Sequence, residues 1–538
     1  MPGGAAAWRG RRRVRVRSER ALVLTLDAAD EGLVRRWAGD GTLPTFARLL
    51  RDGSWAQVAN PIGLAAGAVW PGFYAAVSPG VHGLYDALQR FDPETYRELI
   101  ITPEQVTREP FWSTVAKAGK RVVLLDCPYN YVDETCGAVQ VLDWGTHDRT
   151  YLAAPVFRPT DLGEALLHEF GTDPFGYQCQ TPCQEVPPKG REGFEAFRDA
   201  LLDRCRRRRR LISRLVERGG WDLMLASFSE AHCIGHTCWH IHDPQTEADR
   251  ELAETIGDPV REVYAAIDRA VAEILEVVPS GTAVFVYLSH GMGLGYSASN
   301  LLDAILARLE GGERAVGRSW PVRAGRALWR RAPGAVRRAL MPLRRGVWQE
   351  HYERSLRRSE RRFFEVVNND AAGGVRINLE GREARGKVKA GEYEAVIEEL
   401  ARDLGQVENV DSGRPLARRV LFAQREFPGP EAHRLPDLVL EWDRRAPIRS
   451  VRSPKIGLLP HVHTSIRTGD HEPDGLFVAM GGSGGRLAEP VALEDLAPTL
   501  AAAVGCALPD VGGRPREAFL TDRSRGEGRR FEERVPPQ

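Results

Sequence analysis

Four short apolar runs, each closed or followed by a charged or polar residue, constrain the fold of this 538-residue chain more than any other feature. Residues 21–27 (ALVLTLD), 121–126 (RVVLLD), 222–228 (DLMLASF) and 282–288 (TAVFVYL) are rich in branched apolar side chains and lack strict alternation. That is the pattern of strands buried on both faces of a parallel sheet. Helix-period stretches at 31–38, 45–51 and 261–278 lie between them. The alternation predicts an α/β fold, a mostly parallel central sheet with helices on both faces. Asp27 ends the first strand, Glu230 and His232 follow the third, and His290 follows the fourth. Ligands of open α/β sheets bind beyond the carboxyl ends of the strands, so these three ends predict one shared site.

The densest chemistry is the run Ser229-Glu-Ala-His-Cys-Ile-Gly-His-Thr-Cys-Trp-His-Ile-His242, which holds four of the chain's 13 histidines. A lone histidine is usually a satisfied core residue. His232 and His236 stand four apart directly after a buried strand, which puts both imidazoles on one helical face at metal-chelating distance. His240 continues that face by one turn, and with His242 it reads as an outer or structural group. His290 lies in LSHGMG (288–293), at a strand end followed by glycines; His471 lies in RTGDHEPDG (467–475), a turn-rich loop leading into a strand over 476–480. With Asp27 these form a donor set suited to Zn²⁺ first, or to Mn²⁺ or Fe²⁺, rather than to Ca²⁺. Asp143-Trp-Gly-Thr-His-Asp148 follows a strand-like run at 139–142 and puts His147 and Asp148 in a loop. Those two are candidates for substrate contact or for a supplementary ligand; the plain alternative is a turn with a solvent-facing imidazole.

Charge and composition exclude several classes. Seventy-four Lys and Arg against 73 Asp and Glu leave a net charge of +1, so nothing argues for nucleic acid or an anionic membrane as partner. No apolar stretch approaches the roughly 20 residues that span a bilayer. The arginines at 9, 11, 12, 13, 15 and 17 precede a strand-like run and not the apolar core of a signal peptide, so a cytoplasmic location is expected. Eight cysteines do not suggest a disulfide scaffold, and Cys179 and Cys183 have no second pair at zinc-ribbon spacing. Residues 311–362 hold 15 Arg against four Glu, with Trp320, Trp329 and Trp348 interleaved. They read as an amphipathic helical insertion with a solvated arginine face; a cap that draws in an anionic substrate, or a membrane-docking surface, is the sharper alternative. The run 204–210, arginine throughout except Cys205, reads as a solvated helical face. The expected organisation is a basic extension (1–19), a core (20–300 and 365–520), the Arg-rich insertion (301–364) and a polar tail (521–538).

The order Leu26-Asp27, Trp70…Pro79-Gly-Val-His-Gly83, Glu230-Ala-His-Cys-Ile-Gly-His236, Ser289-His-Gly291 and Gly469-Asp-His471 resembles the alkaline phosphatase superfamily. Its type I phosphodiesterase/nucleotide pyrophosphatase branch is the best match, over about residues 20–300 and 365–520, with support from Arg376-Ile-Asn-Leu-Glu-Gly-Arg-Glu383, Leu435-Pro-Asp-Leu-Val439 and Asp495-Leu-Ala-Pro-Thr-Leu500. The resemblance implies a central sheet, a two-metal site, a Thr or Ser nucleophile and a small, phosphate-containing substrate. On this reading a first ion takes His232, His236 and His471, with His232 standing where the family usually has Asp. A second takes Asp27, His290, the residue before His290 and the nucleophile. Here the chain departs from the pattern, because the residue before His290 is Ser289 and the nucleophile slot, counted back from His82, falls on Ala66. Ser289 is itself a candidate nucleophile, since nucleophiles do occupy strand-end turns. One or two ions are therefore expected, and a single ion held by three histidines is able to activate water. The expected function is a metal-dependent hydrolase of phosphodiesters, phosphoanhydrides or related anionic esters, using metal-activated water or an atypical nucleophile. One alternative is a non-catalytic relative that binds one metal and an anionic ligand or partner protein. The other is a mononuclear metalloenzyme with different chemistry on this scaffold.

Overall fold

The branched apolar runs become the middle of a ten-stranded sheet. Its principal strands are β1 (Arg20–Leu26), β2 (Ser54–Ala59), β3 (Val122–Leu125), β4 (Val139–Leu142), β5 (Val156–Arg158), β6 (Leu223–Phe228), β7 (Thr282–Leu288), β8 (Gly475–Ala479) and β9 (Gly485–Arg486). The structure is a computed structural model; it describes residues 18–520 except 87, 103–105, 107, 135–136, 138, 152–153, 178–180, 182–187, 312–353, 461–466 and 482–483, and the side chains of 65 and 66. Cys179, Cys183, most of the Arg-rich segment, residues 1–17 and the tail from 521 therefore lie outside the described residues.

Across the sheet the order is β9-β2-β8-β7-β1-β6-β3-β4-β5, with Val491–Ala492 beside β2. β1 runs parallel to both neighbours, and Leu26 stands opposite Phe228 of β6 and Leu288 of β7. Three chains thus leave the sheet at one level and in one direction, which brings residues 27, 229 and 289 to a common edge. β8 is antiparallel to β7 and β2. Leu22, Leu24 and Leu26 feed one core and Ala21 and Val23 the other, as the two-residue period of a strand requires.

Five helices matter for the site: α1 (Glu31–Gly39), α2 (Ala65–Ala75), α3 (Gly190–Arg218), α4 (Glu230–His242) and α5 (Pro259–Val277). α3, α4 and α5 pack on one another over the first core. Asp30 caps α1 by accepting from the Leu33 N–H at 2.7 Å, and Asp258 caps α5 by accepting from the Arg261 N–H at 3.0 Å. A smaller antiparallel sheet of Phe363–Val366, Ala372–Ile377, Leu438–Trp442 and Ala417–Phe422 builds a separate core with the helices Ser299–Leu309 and Tyr393–Gly405.

The reading of 204–210 as a solvated face is corrected by α3. Arg204 and Arg208 are 1% and 0% exposed. Both guanidiniums converge on Glu230 Oε1, at 3.2 and 2.9 Å, and Arg208 also reaches Asp126 at 2.7 Å and two backbone carbonyls. A helix turns 100° per residue, so a run of seven cannot keep to one face, and the inward members must find carboxylates. Those carboxylates lie at the ends of β3 and β6, far away in sequence.

Candidate metal centre

α4 starts directly after β6, so its first two turns project His232 and His236 over the carboxyl edge of the sheet. A two-stranded hairpin of Gly291–Leu294 and Gly469–Glu472 places Met292 opposite His471, tying the loop that carries His290 to the strand that carries His471. This strand lies tight against α4. A Cβ on Gly469 would stand 2.4 Å from the Gly235 carbonyl oxygen and 2.8 Å from Trp239 Cβ, so only glycine permits the approach. The Thr468 N–H donates to the His236 carbonyl at 2.7 Å.

Three imidazoles meet there. His232 Nε2 lies 3.0 Å from His236 Nε2 and 2.9 Å from His471 Nε2. His232 donates its Nδ1–H to Asp27 Oδ2 at 2.6 Å, and His236 donates its own to the Gly469 carbonyl at 2.8 Å. With those protons turned outward, two bare Nε2 lone pairs face each other, a repulsive contact that a cation relieves. The donor set therefore fits a divalent ion that favours imidazole, and Asp27 has the place of the carboxylate that orients a ligating histidine. His471 Nδ1 faces Asn369 Nδ2 at 2.9 Å; with its amide turned over, Asn369 would accept from Nδ1–H and free Nε2 for a ligand. Burial depresses the pKa of all three histidines, with neighbouring positive charge adding to it, so they stand neutral and ready to ligate. Asp470 joins His236 and His471 in a second possible ligand group, its carboxyl pushed up to about 6 by burial and by Asp370.

The residues expected to seat a second ion are brought together, but they bind one another. Asp27 Oδ1 accepts from Trp70 Nε1 at 3.0 Å and from the Ser289 hydroxyl at 3.3 Å, and Oδ2 is taken by His232. Burial raises the Asp27 carboxyl, yet the hydrogen bond and charge of His232, with His290 and His147, hold it well below the usual carboxylate range. Ser289 Oγ also accepts from the Ala28 N–H at 3.1 Å and is fully buried, so it serves as a strut for Asp27. The His290 ring sits 4.4 Å from that of His471, its pKa pushed down to about 4 by burial. Position 66 lies in the first turn of α2, the helix that sends Trp70 to Asp27.

His147 is not a solvent-facing turn residue, being 1% exposed and stacked on His232 with centroids 3.8 Å apart and planes at 17°. One of its ring nitrogens lies within 4.8 Å of ligand nitrogens of His232 and His236, so these three also form a possible ligand group. Its Nδ1 contacts Cys233 Sγ at 3.2 Å, and Arg204 donates to the same sulfur at 3.0 Å, joining the site to the buried arginines. Asp148 is half-buried; its Oδ2 accepts from Tyr129 at 2.9 Å and its Oδ1 from Thr181 at 2.5 Å. Burial raises this carboxyl, but His147, His232 and Arg467 keep it below its ordinary value. His240 and His242 stand apart from the centre: His242 pairs with Asp258 at 2.7 Å, and the His240 ring packs on Phe194.

Sequence reasoning missed Trp70, Tyr129, Thr181, Asn369 and Arg467 as parts of the site. The strand at 121–126 was recognisable, and the polar stretch after it, with Tyr129 and Asn130, was the available signal. Nothing local marked Thr181 or Asn369.

No curated protein matches the chain at the sequence level. The profile of the type I phosphodiesterase / nucleotide pyrophosphatase family matches residues 21–474. Among solved structures, phosphonoacetate hydrolase from Sinorhizobium meliloti 1021, in complex with phosphonoacetate, superposes with a TM-score of 0.51 at 13% identity, over 91% of this chain and 96% of that one. The wild-type alkaline phosphatase PafA superposes with a TM-score of 0.52 at 12% identity, over 94% of this chain and 99% of that one. Both establish the same layered α/β architecture around the mostly parallel sheet.

Proposed function

The chain belongs to the type I phosphodiesterase/nucleotide pyrophosphatase family of the alkaline phosphatase superfamily, and from this we propose that it is a divalent-metal-dependent hydrolase of phosphodiesters, phosphoanhydrides or related anionic esters. The observation that carries this reading is His232 Nε2 lying within 3.0 Å of both His236 Nε2 and His471 Nε2, with the Nδ1 protons of His232 and His236 held outward by Asp27 and Gly469. His232, His236 and His471 would hold the ion, with zinc favoured by the donor set. When bound, it would supply positive charge to a phosphoryl oxygen and make an adjacent water more acidic.

The chain's own groups provide the rest. Asp27 holds His232 in one tautomer and is itself held by Trp70 and Ser289. Arg467 lies close enough to His147, Asp148, His236 and His471 for its charge to lower the pKa of each, which adds positive charge beside the centre. Alanine at position 66 and serine at position 289 leave the second ligand set short of a nucleophile and a carboxylate, which favours one ion over two and also supports the second reading, a single-ion protein that binds a phosphate-containing ligand without cleaving it.

The deciding experiment measures metal per chain by elemental mass spectrometry, together with turnover of bis(p-nitrophenyl) phosphate and an aryl phosphoanhydride in Zn²⁺ or Mn²⁺. One ion per chain, with the ion and the rate both lost in His236→Ala, is expected. A rate that survives His236→Ala would place the activity elsewhere. An intact ion with no turnover of either ester or anhydride would favour the binding reading.

A further inference from the structure

The hydrolase reading leaves the attacking group without a residue, since alanine holds the expected slot. A hydroxyl bonded to Asp148, the chain neighbour of His147, is held as a nucleophile is held. Tyr129 Oη donates to Asp148 Oδ2 at 2.9 Å, and Thr181 Oγ1 donates to Asp148 Oδ1 at 2.5 Å. One carboxylate thus spends one oxygen on a threonine that fixes its plane and turns the other toward a phenol. Nucleophile, base and a third group that orients the base form the general signature of an activated nucleophile. All three residues are half-buried.

The backbone supports the same assignment. Tyr129 stands four residues beyond the end of β3, at the carboxyl edge of the sheet, with φ of +54°, and Asp126 at the strand end has φ of +50°. A bulky side chain in the left-handed region is strained, and such strain persists where surrounding structure holds it, often at functional positions. Here the holding structure is visible. Asp126 is locked by Arg208 at 2.7 Å and by the Trp144 and Gly145 N–H groups, and Tyr74 donates to the Pro128 carbonyl at 2.7 Å. Burial and the charges of Asp148 and Asp27 hold the phenol well above its ordinary range, so it stands as a neutral hydroxyl whose proton must pass to Asp148 as it attacks.

Resting on the hydrolase reading, we propose that Tyr129 is the nucleophile of this protein, activated by Asp148, which Thr181 positions. In the first step Tyr129 Oη passes its proton to Asp148 Oδ2 and forms a bond to phosphorus, while the bond from phosphorus to the leaving oxygen breaks and that oxygen departs with the electron pair. Asp148 then releases its proton to solvent. In the second step water gives a proton to Asp148 and its oxygen bonds to phosphorus; the bond to Tyr129 Oη breaks, and Asp148 returns the proton to the phenolate. A phenolate leaves phosphorus more readily than an alkoxide does, which favours Tyr129 over Thr181 as the group that carries the covalent bond.

The test uses the full chain loaded with Zn²⁺ and an alkyl fluorophosphonate, which labels a nucleophile whether or not the protein turns over a substrate. Peptide mass spectrometry is expected to find one alkylphosphonyl group on Tyr129, with fluoride released. Labelling is expected to vanish in Tyr129→Phe and to fall more than tenfold in Asp148→Asn, with circular dichroism and metal content unchanged. The same preparations are assayed on bis(p-nitrophenyl) phosphate. Turnover without a Tyr129 label, or a label on another residue, overturns the assignment and leaves the hydrolase reading standing. A Tyr129 label with no turnover of this diester or of the aryl phosphoanhydride sustains the tyrosine as a phosphorus nucleophile and overturns the hydrolase reading. Neither label nor turnover overturns both.

Discussion

Replacing Asp27 by Asn exchanges one oxygen for an amide nitrogen and forces a choice that the parent carboxylate avoids. In the parent, Oδ2 accepts from His232 Nδ1 at 2.6 Å and Oδ1 accepts from Trp70 Nε1 at 3.0 Å. Asn can serve only one of these donors with its oxygen. If the oxygen faces His232, the amide N–H₂ meets the indole N–H, and a buried donor loses its partner at a cost of about 1–3 kcal/mol. If the amide faces His232, it donates to Nδ1 and moves the ring proton to Nε2, the atom that should ligate. Removing such an orienting carboxylate weakens metal affinity by about 10- to 100-fold, equal to roughly 1.4–2.7 kcal/mol. The same amount should disappear from the metal-dependent part of the unfolding free energy at saturating Zn²⁺. Chelator-competition titration gives the affinity and stoichiometry, and urea unfolding with and without Zn²⁺ gives the stability. The expected result is an unchanged count of one ion per chain, bound at least tenfold more weakly. A variant that binds one ion with the parent's affinity would refute the argument, as would a drop from two ions to one with the remaining affinity intact, because Asp27 would then be a direct ligand of a second ion.

Three further outcomes test other parts of the structure. Glu230→Gln leaves Arg208 and Arg204 sharing a neutral amide in the core, and the urea midpoint should report a loss of about 3–5 kcal/mol; a loss below 1 kcal/mol would mean that the buried arginines are satisfied without Glu230. Gly469→Ala should drive the strand carrying His471 off α4, because the new methyl would meet the Gly235 carbonyl oxygen at 2.4 Å, and Zn²⁺ affinity should fall more than tenfold by the same chelator titration. The Asp143 carboxyl, raised by burial from 3.8 to about 7, keeps its proton in the folded chain over a range where the unfolded chain has lost it. Its contribution to stability is therefore full below about pH 4 and is lost as the pH rises to about 7. Asp143→Asn, which tolerates the left-handed backbone at this position, should flatten the urea midpoint across that window, and an unchanged slope would sink the assignment.

The legible part of the fold was the part written in local pattern. The run 282–288 is β7 to the residue, and the other three buried strands are displaced by a residue or two at an end. Their apolar character is sufficient because both faces of a central strand are covered. The pairing of His232 with His236 was equally legible, since a four-residue spacing on a helix already sets two imidazoles side by side. The arginines of α3 lie beyond the reach of local pattern. Five adjacent arginines following Arg204 and Cys205 look solvated, and only the partners Glu230, Asp126 and Asp173, brought in from other elements, reveal which of them are buried.

Sequence alone determined the strand–helix alternation, the sheet edge at which the candidate site residues gather, and the residue types able to hold a divalent ion. The tertiary structure decided what each group is bonded to. Asp27 places its two oxygens against His232, Trp70 and Ser289, contacts spanning 43 to 262 positions along the chain. His147 stacks on His232 from a loop 85 residues earlier, and Tyr129, Asp148 and Thr181 meet from three separate segments. Secondary structure follows from neighbours in sequence, whereas hydrogen-bond partnership depends on which strand ends the sheet brings together. The parallel register of β6, β1 and β7 is what delivers these groups to a single edge.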